Sequence, residues 1–153
     1  MSANPHMIDD IFERKYIRRH GLVSHMSTSK WLKLIVLLKQ NPILPSEAEL
    51  FYLGSERGYE TNAASWWMPV WGYVEADRFP PVSLLAIERL SFPRIWKPPY
   101  RRNIPRTWKT QDLERLRDAI MRLGHYPLSL SEHGLDLIAH GQLPGDDGVM
   151  IEH

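Results

Sequence analysis

The stretch from Ala63 to Phe92, AASWWMPVWGYVEADRFPPVSLLAIERLSF, constrains the fold most. It carries three of the six tryptophans, Trp66, Trp67 and Trp71, within the longest apolar run of the chain. Aromatic and β-branched residues favour a pleated, half-buried surface. The stretch therefore predicts two strands, about Trp66 to Val74 and Leu85 to Phe92, joined by a proline-containing loop in the middle of a small sheet. Pro69 cannot donate to a ladder, which marks an edge, bulge or break there. In the second strand Ile87, Arg89 and Ser91 alternate against Glu88, Leu90 and Phe92, and Pro93 closes the run.

Around this centre the periodicities change. Ser27 to Gln40 predicts a helix. Ser27, Thr28 and Ser29 offer capping hydroxyls, and Trp31, Leu34, Ile35 and Leu38 form one apolar stripe. Asn41-Pro42 ends it, because a residue before proline is pushed out of the α region. Glu49 to Gly54 predicts a strand, and the polar run Ser55 to Asn62 a loop. Thr110 to Leu123 predicts a second helix with Thr110 as N-cap, acids in its first turn, and Leu113, Leu116, Ile120 and Leu123 buried. Pro127 to Ser131 and Leu135 to His140 predict a hairpin turning at His133-Gly134. Pro93 to Lys109 has four prolines and six basic residues. It reads as an ordered excursion pinned by Trp96, Tyr100 and Trp108. The expected order is α-β-β-β-α-β-β: a two-layer α+β domain with a mainly antiparallel five-stranded sheet and both main helices on one face. Residues 1–25 read as an extension with a short helix, 26–141 as the domain, and 142–153 as a tail.

Composition narrows function. Without cysteine there is no disulfide, thiolate metal site or Cys nucleophile. The seven histidines lack paired metal-ligand spacing, so no metal or other cofactor is expected. Glu56, Glu60, Glu75 and Asp77 flank the tryptophan strand without a converging His or Lys, and Ser65, Ser83 and Ser91 lack a nucleophile-elbow context. The expectation is a non-enzyme. No apolar run approaches the ~20 residues that span a bilayer. Charges from Asp9 to Lys15 interrupt any signal-peptide core. The expected location is the cytoplasm.

The net charge of +1 conceals a segmental pattern, with nine basic residues against three acids between Arg94 and Arg122. With Trp96, Tyr100 and Trp108 interleaved, this stretch carries the alternative reading, nucleic-acid binding through 94–109. Net charge makes that partner the less expected one. A protein partner is favoured by the tryptophan cluster. In a strand Trp66 and Trp67 point to opposite faces, and two helices cover only one. Trp, Tyr and Arg dominate interface hot spots. The expected contact is Trp67 or Trp66 with Tyr59, Glu60, Glu75 and Asp77, the competing reading being plain core packing.

The segments SKWLKLIVLLK, ELFYLG, WWMPVWGYVEA, PVSLLAIERLSF and PLSLSEHGLDLIAHG, with a capped helix before the last, resemble a family of small bacterial α+β immunity proteins associated with polymorphic or Rhs-type toxins. The resemblance spans Ser29 to Gly141 and rests on apolar pattern. The N-terminal 25 residues and the basic proline-rich insert lie outside it. It implies a non-enzymatic cytoplasmic inhibitor that binds one cognate toxin and covers its active site, and it carries no catalytic residues. At a net charge of +1, a non-nuclease toxin such as an ADP-ribosyltransferase is favoured over a nuclease.

Overall fold

The computed structural model describes residues 6–70, 73–76, 79–97 and 107–141, with the side chains of 6–10, 67–70, 73–76 and 79–81 outside the description. The expected C-terminal tail, 142–153, lies outside the described residues, as do Trp71 and Tyr100.

Helix α1 spans His6–Arg19 and α2 spans Thr28–Gln40. The Ser27 side chain accepts from the Lys30 amide at 3.1 Å, the cap read from the sequence. Trp31, Leu34, Ile35 and Leu38 are buried as one stripe. Strands β1 (Glu47–Tyr52), β2 (Tyr59–Asn62), β6 (Ile87–Pro93), β9 (Leu128–Leu130) and β10 (Gly134–Ile138) form a five-stranded antiparallel sheet in the order β2-β1-β6-β10-β9. Strands β3 (Trp67–Val70), β4 (Tyr73–Ala76) and β5 (Phe79–Ser83) form a separate three-stranded sheet. Helix α3 spans Leu113–Met121.

The α+β class and five-stranded antiparallel sheet agree with expectation, but two strands are assigned differently. The second strand of the tryptophan stretch is, as expected, central to the main sheet as β6, but its tryptophan strand, Trp66 to Val74, is not part of that sheet. The chain leaves β2 through a 3-10 turn at Ala63–Ser65 and builds the small meander β3-β4-β5. The sheet's second strand is instead β2, inside the polar run expected to be a loop. Strand β2 is an edge strand with Tyr59 and Glu60 exposed, so it lacks the apolar content that signals a strand. Leu85 and Ala86, expected at the start of a strand, belong instead to a second 3-10 turn, Leu84–Ala86, that leads into β6.

Helix α3 starts later than read. Thr110 pairs with Ile95 in a two-stranded ribbon, β7 (Ile95–Trp96) with β8 (Lys109–Thr110), and is not free to cap. Asp112 caps instead, its side chain accepting from the Arg115 amide at 3.1 Å. The ribbon closes the proline-rich excursion at its base. Trp108 does not pin that excursion to the core, being 67% exposed with the Lys97 ammonium 5.5 Å from its ring centre.

The core lies between the sheet and the helices. Alternation sends Ala48, Leu50, Leu90, Phe92, Leu135 and Leu137 inward, all buried, against Leu34, Leu38, Leu113, Leu116 and Ile120. The N-terminal residues are fastened to this domain. His25 N–H donates to Ala139 O at 2.8 Å and Gly141 N–H to Val23 O at 2.8 Å, extending the end of β10. Helix α1 packs on the 3-10 turn at Leu84–Ala86 and on β5. Its Tyr16 hydroxyl lies where a Cβ on Gly54 would stand, at 2.5 Å, and Gly54 has a φ of 76°. A side chain there is opposed both by the backbone and by the docked helix.

Candidate interaction surface

The strands that send leucines inward send a different set outward. Glu47, Glu49 and Phe51 of β1, Arg89 and Ser91 of β6, and Asp136 and Ile138 of β10 point away from the helices and are half-buried. Register aligns them in cross-strand rows. One row runs Glu60, Glu49, Ser91, Asp136, Ser129. The next runs Phe51, Arg89, Ile138. The Arg89 guanidinium lies 4.0 Å from the Phe51 ring centre and 4.0 Å from Asp136 Oδ2. Gly58, beside Phe51, leaves the space this ring uses: a Cβ there would come within 2.7 Å of both Phe51 Cζ and Glu49 Oε2.

Of the residues expected to form the partner contact, Tyr59, Glu60 and Trp66 have described side chains, and these three do not share one patch. Tyr59 is 42% exposed at the sheet edge and meets Tyr52 edge-on at 5.3 Å, with Arg57 at 5.9 Å from its ring. Glu60 is exposed, but alternation turns it to the opposite face from Tyr59. Trp66 is corrected from a surface candidate to a core residue. It is 0% exposed, it neighbours Trp31 at 6.4 Å, and its indole N–H donates to Thr61 Oγ1 at 2.7 Å. The alternation that offered it to solvent does not apply, because Trp66 caps a 3-10 turn and precedes the strand. Trp67 and Glu75 are cross-strand partners in β3 and β4, with their side chains outside the description. Asp77 lies outside the described residues. Phe51, Glu49 and Asp136 were missed. Their signal was charge and aromaticity at every second position of otherwise apolar strands, visible in ELF, ERLS and LDLI.

At the other end of the sheet a buried histidine joins three segments. His140 is 4% exposed. One ring nitrogen, Nε2, is 2.8 Å from the Leu85 carbonyl, so it carries the proton. The other, Nδ1, accepts from the Ser24 hydroxyl at 2.8 Å in the neutral ring. Burial pushes the His140 pKa below the usual histidine range, against the opposing effects of the Leu85 carbonyl and Glu88, while His25 adds to the lowering. A histidine depressed in the folded state binds protons less readily than in the unfolded chain, whose pKa is about 6.5. Its stabilising contribution is complete above that value and is lost as pH falls from there through the folded pKa. Melting temperature should therefore drop on acidification from pH 7.5 toward pH 5. His140→Gln should melt lower at pH 7.5 and show a shallower acid slope. Parallel slopes in the two proteins would exclude His140 as a source of the acid sensitivity.

Among the described residues no three His, Asp or Glu side chains gather as a metal site, and no helix is long and apolar enough to cross a membrane. Comparison with protein-family models, with curated proteins and with solved structures found no match.

Proposed function

We propose that this chain is a non-enzymatic immunity protein that neutralises a cognate bacterial toxin in the cytoplasm by 1:1 binding over the toxin's active site. The observation that carries the reading is the outward face of the main sheet. Its inward face is covered by helices, whereas the outward face holds half-exposed carboxylates, a hydroxyl, a stacked guanidinium and a phenyl ring. An aromatic centre with a charged surround is how specific protein interfaces are composed. The resemblance over residues 29–141 supports the same reading; its segments fall on α2, β1, β6 and the β9–β10 hairpin, with WWMPVWGYVEA falling on β3 and β4 of the separate meander.

Co-expression with the protein encoded by the neighbouring gene should give a stable 1:1 complex and restore growth. Separate elution of the two proteins without rescue would overturn the reading. The alternative, a single-stranded nucleic-acid binder, is favoured by one observation. Trp108 is exposed beside Lys97 and Lys109, a stacking surface with cations at hand. Its mark is oligonucleotide binding that weakens steeply with salt.

A further inference from the structure

We infer that the outward face of the main sheet, around the Glu60–Glu49–Ser91–Asp136 row and the Phe51–Arg89 pair, is the docking surface for a protein partner that presents Lys and Arg side chains. The inference rests on the immunity reading for the identity of that partner, but its physical basis is separate.

Glu49 and Glu60 stand directly opposite each other on neighbouring antiparallel strands. Like charges in that relation destabilise a sheet. Neither carboxylate has an ion-pair partner among the described residues. Ser91, next in the row, has a buried hydroxyl with no hydrogen-bond partner among them. The Glu47 carboxylate, one row away, accepts from the Asn62 amide at 2.5 Å and has no ion-pair partner among the described residues. Four carboxylates, of Glu47, Glu49, Glu60 and Asp136, thus share a face with one described cation, Arg89, whose guanidinium stands 4.0 Å from Asp136. An arrangement that is unfavourable in the free protein becomes favourable when cations arrive.

The same face already displays how it receives a guanidinium. Arg89 stacks on Phe51 and reaches a carboxylate. Arginine combines just these two modes, ring stacking and carboxylate pairing. Adjacent strands lie about 4.8 Å apart, so successive carboxylates of the row meet successive basic side chains of a partner surface. Net charge is a poor guide to such a partner, because the basic residues of this chain are concentrated between Arg94 and Arg122 while this face is acidic.

The test separates stability from binding. Glu60→Lys converts a like-charge pair into an opposite-charge pair, so the melting temperature should rise by about 2 °C or more. Binding should move the other way. With isotope-labelled full chain and octa-arginine as the probe, amide shifts should concentrate at Glu49, Glu60, Ser91 and Asp136, with octa-glutamate inert. Glu49→Gln/Glu60→Gln and Glu60→Lys should each weaken octa-arginine binding at least tenfold, and the toxin complex, once in hand, likewise. Three results would overturn the inference: no shifts on this face, binding that the double variant leaves unchanged, or a lower melting temperature for Glu60→Lys. The last would mean that a cation of this chain already occupies the face. A neighbouring-gene product that binds wild type and double variant equally would overturn this surface and leave the immunity reading standing. Octa-arginine mapped to this face with no toxin complex would do the reverse.

Discussion

Trp66→Ala should lose most of the stability of the domain. Trp66 is fully buried between the helix layer and the turn that leaves β2, against Trp31. Truncating a buried tryptophan costs about 3–5 kcal/mol through lost burial and the cavity left behind. The substitution also strips the Thr61 hydroxyl, itself 4% exposed, of the indole donor it accepts from. A buried polar group left unsatisfied costs about 1–3 kcal/mol more. A domain holds about 5–15 kcal/mol in total, so the variant should be partly unfolded at 37 °C. Urea denaturation measures the change directly. Trp66→Phe keeps much of the volume but lacks the N–H, and should fall between the two. A near-native melt for Trp66→Ala would mean that the indole contributes little to this core.

Gln111→Leu is the second large effect. Gln111 is buried, and its amide joins the ends of the two strands that pair at the centre of the sheet. Its Oε1 accepts from the Glu47 N–H at 3.1 Å, and its Nε2 donates to Glu47 O at 3.1 Å and to Pro93 O at 2.7 Å. Leucine preserves size but leaves these backbone groups without side-chain partners. At about 1–3 kcal/mol for a buried orphan, a loss of about 3 kcal/mol is expected. Gln111→Glu is the sharper probe. It keeps the shape and one acceptor but turns a carboxylate oxygen toward two carbonyls, so near pH 7 it should be at least as damaging as leucine. Chemical denaturation ranks the variants. A glutamate variant as stable as wild type would show that the amide orientation does not matter.

The two residues illustrate what the sequence discloses. Helix α2 was readable because cap, stripe and stop are all local: Ser27, then Trp31 to Leu38, then Asn41-Pro42. The buried stripe of α3 was equally plain, yet its first residue was misread, because Thr110 is claimed by Ile95 from a distant segment. Strands β1, β6 and β10 carry their inward leucines at alternate positions and were found. Strand β2 is polar and held by its neighbour, so nothing local marks it. Trp66 was misplaced for a related reason: an argument from alternation holds only within a strand, and the chain turns just before one begins. The outward face was half legible. Charges at alternate positions announce a second, polar face, but the meeting of Glu49 with Glu60 depends on register, which only the assembled sheet fixes.

The position of β6 bears on how the chain reaches this state during synthesis. Leu90 pairs with Leu50 on one side and with Leu137 on the other, so the central strand waits for its last neighbour until β10 is made. Pairings distant in sequence form slowly, since loop closure must precede the contacts that reward it. A chain that has exposed β6 but not yet β10 can unite β1, β2 and β6, but it holds an unpaired inner edge and leaves Phe92 without Leu135 across from it. Such an edge is a template for association with other chains. Release of the β9–β10 hairpin from the ribosome is then the event that commits the domain to its fold, and slow translation of the segment before it prolongs the interval in which aggregation competes.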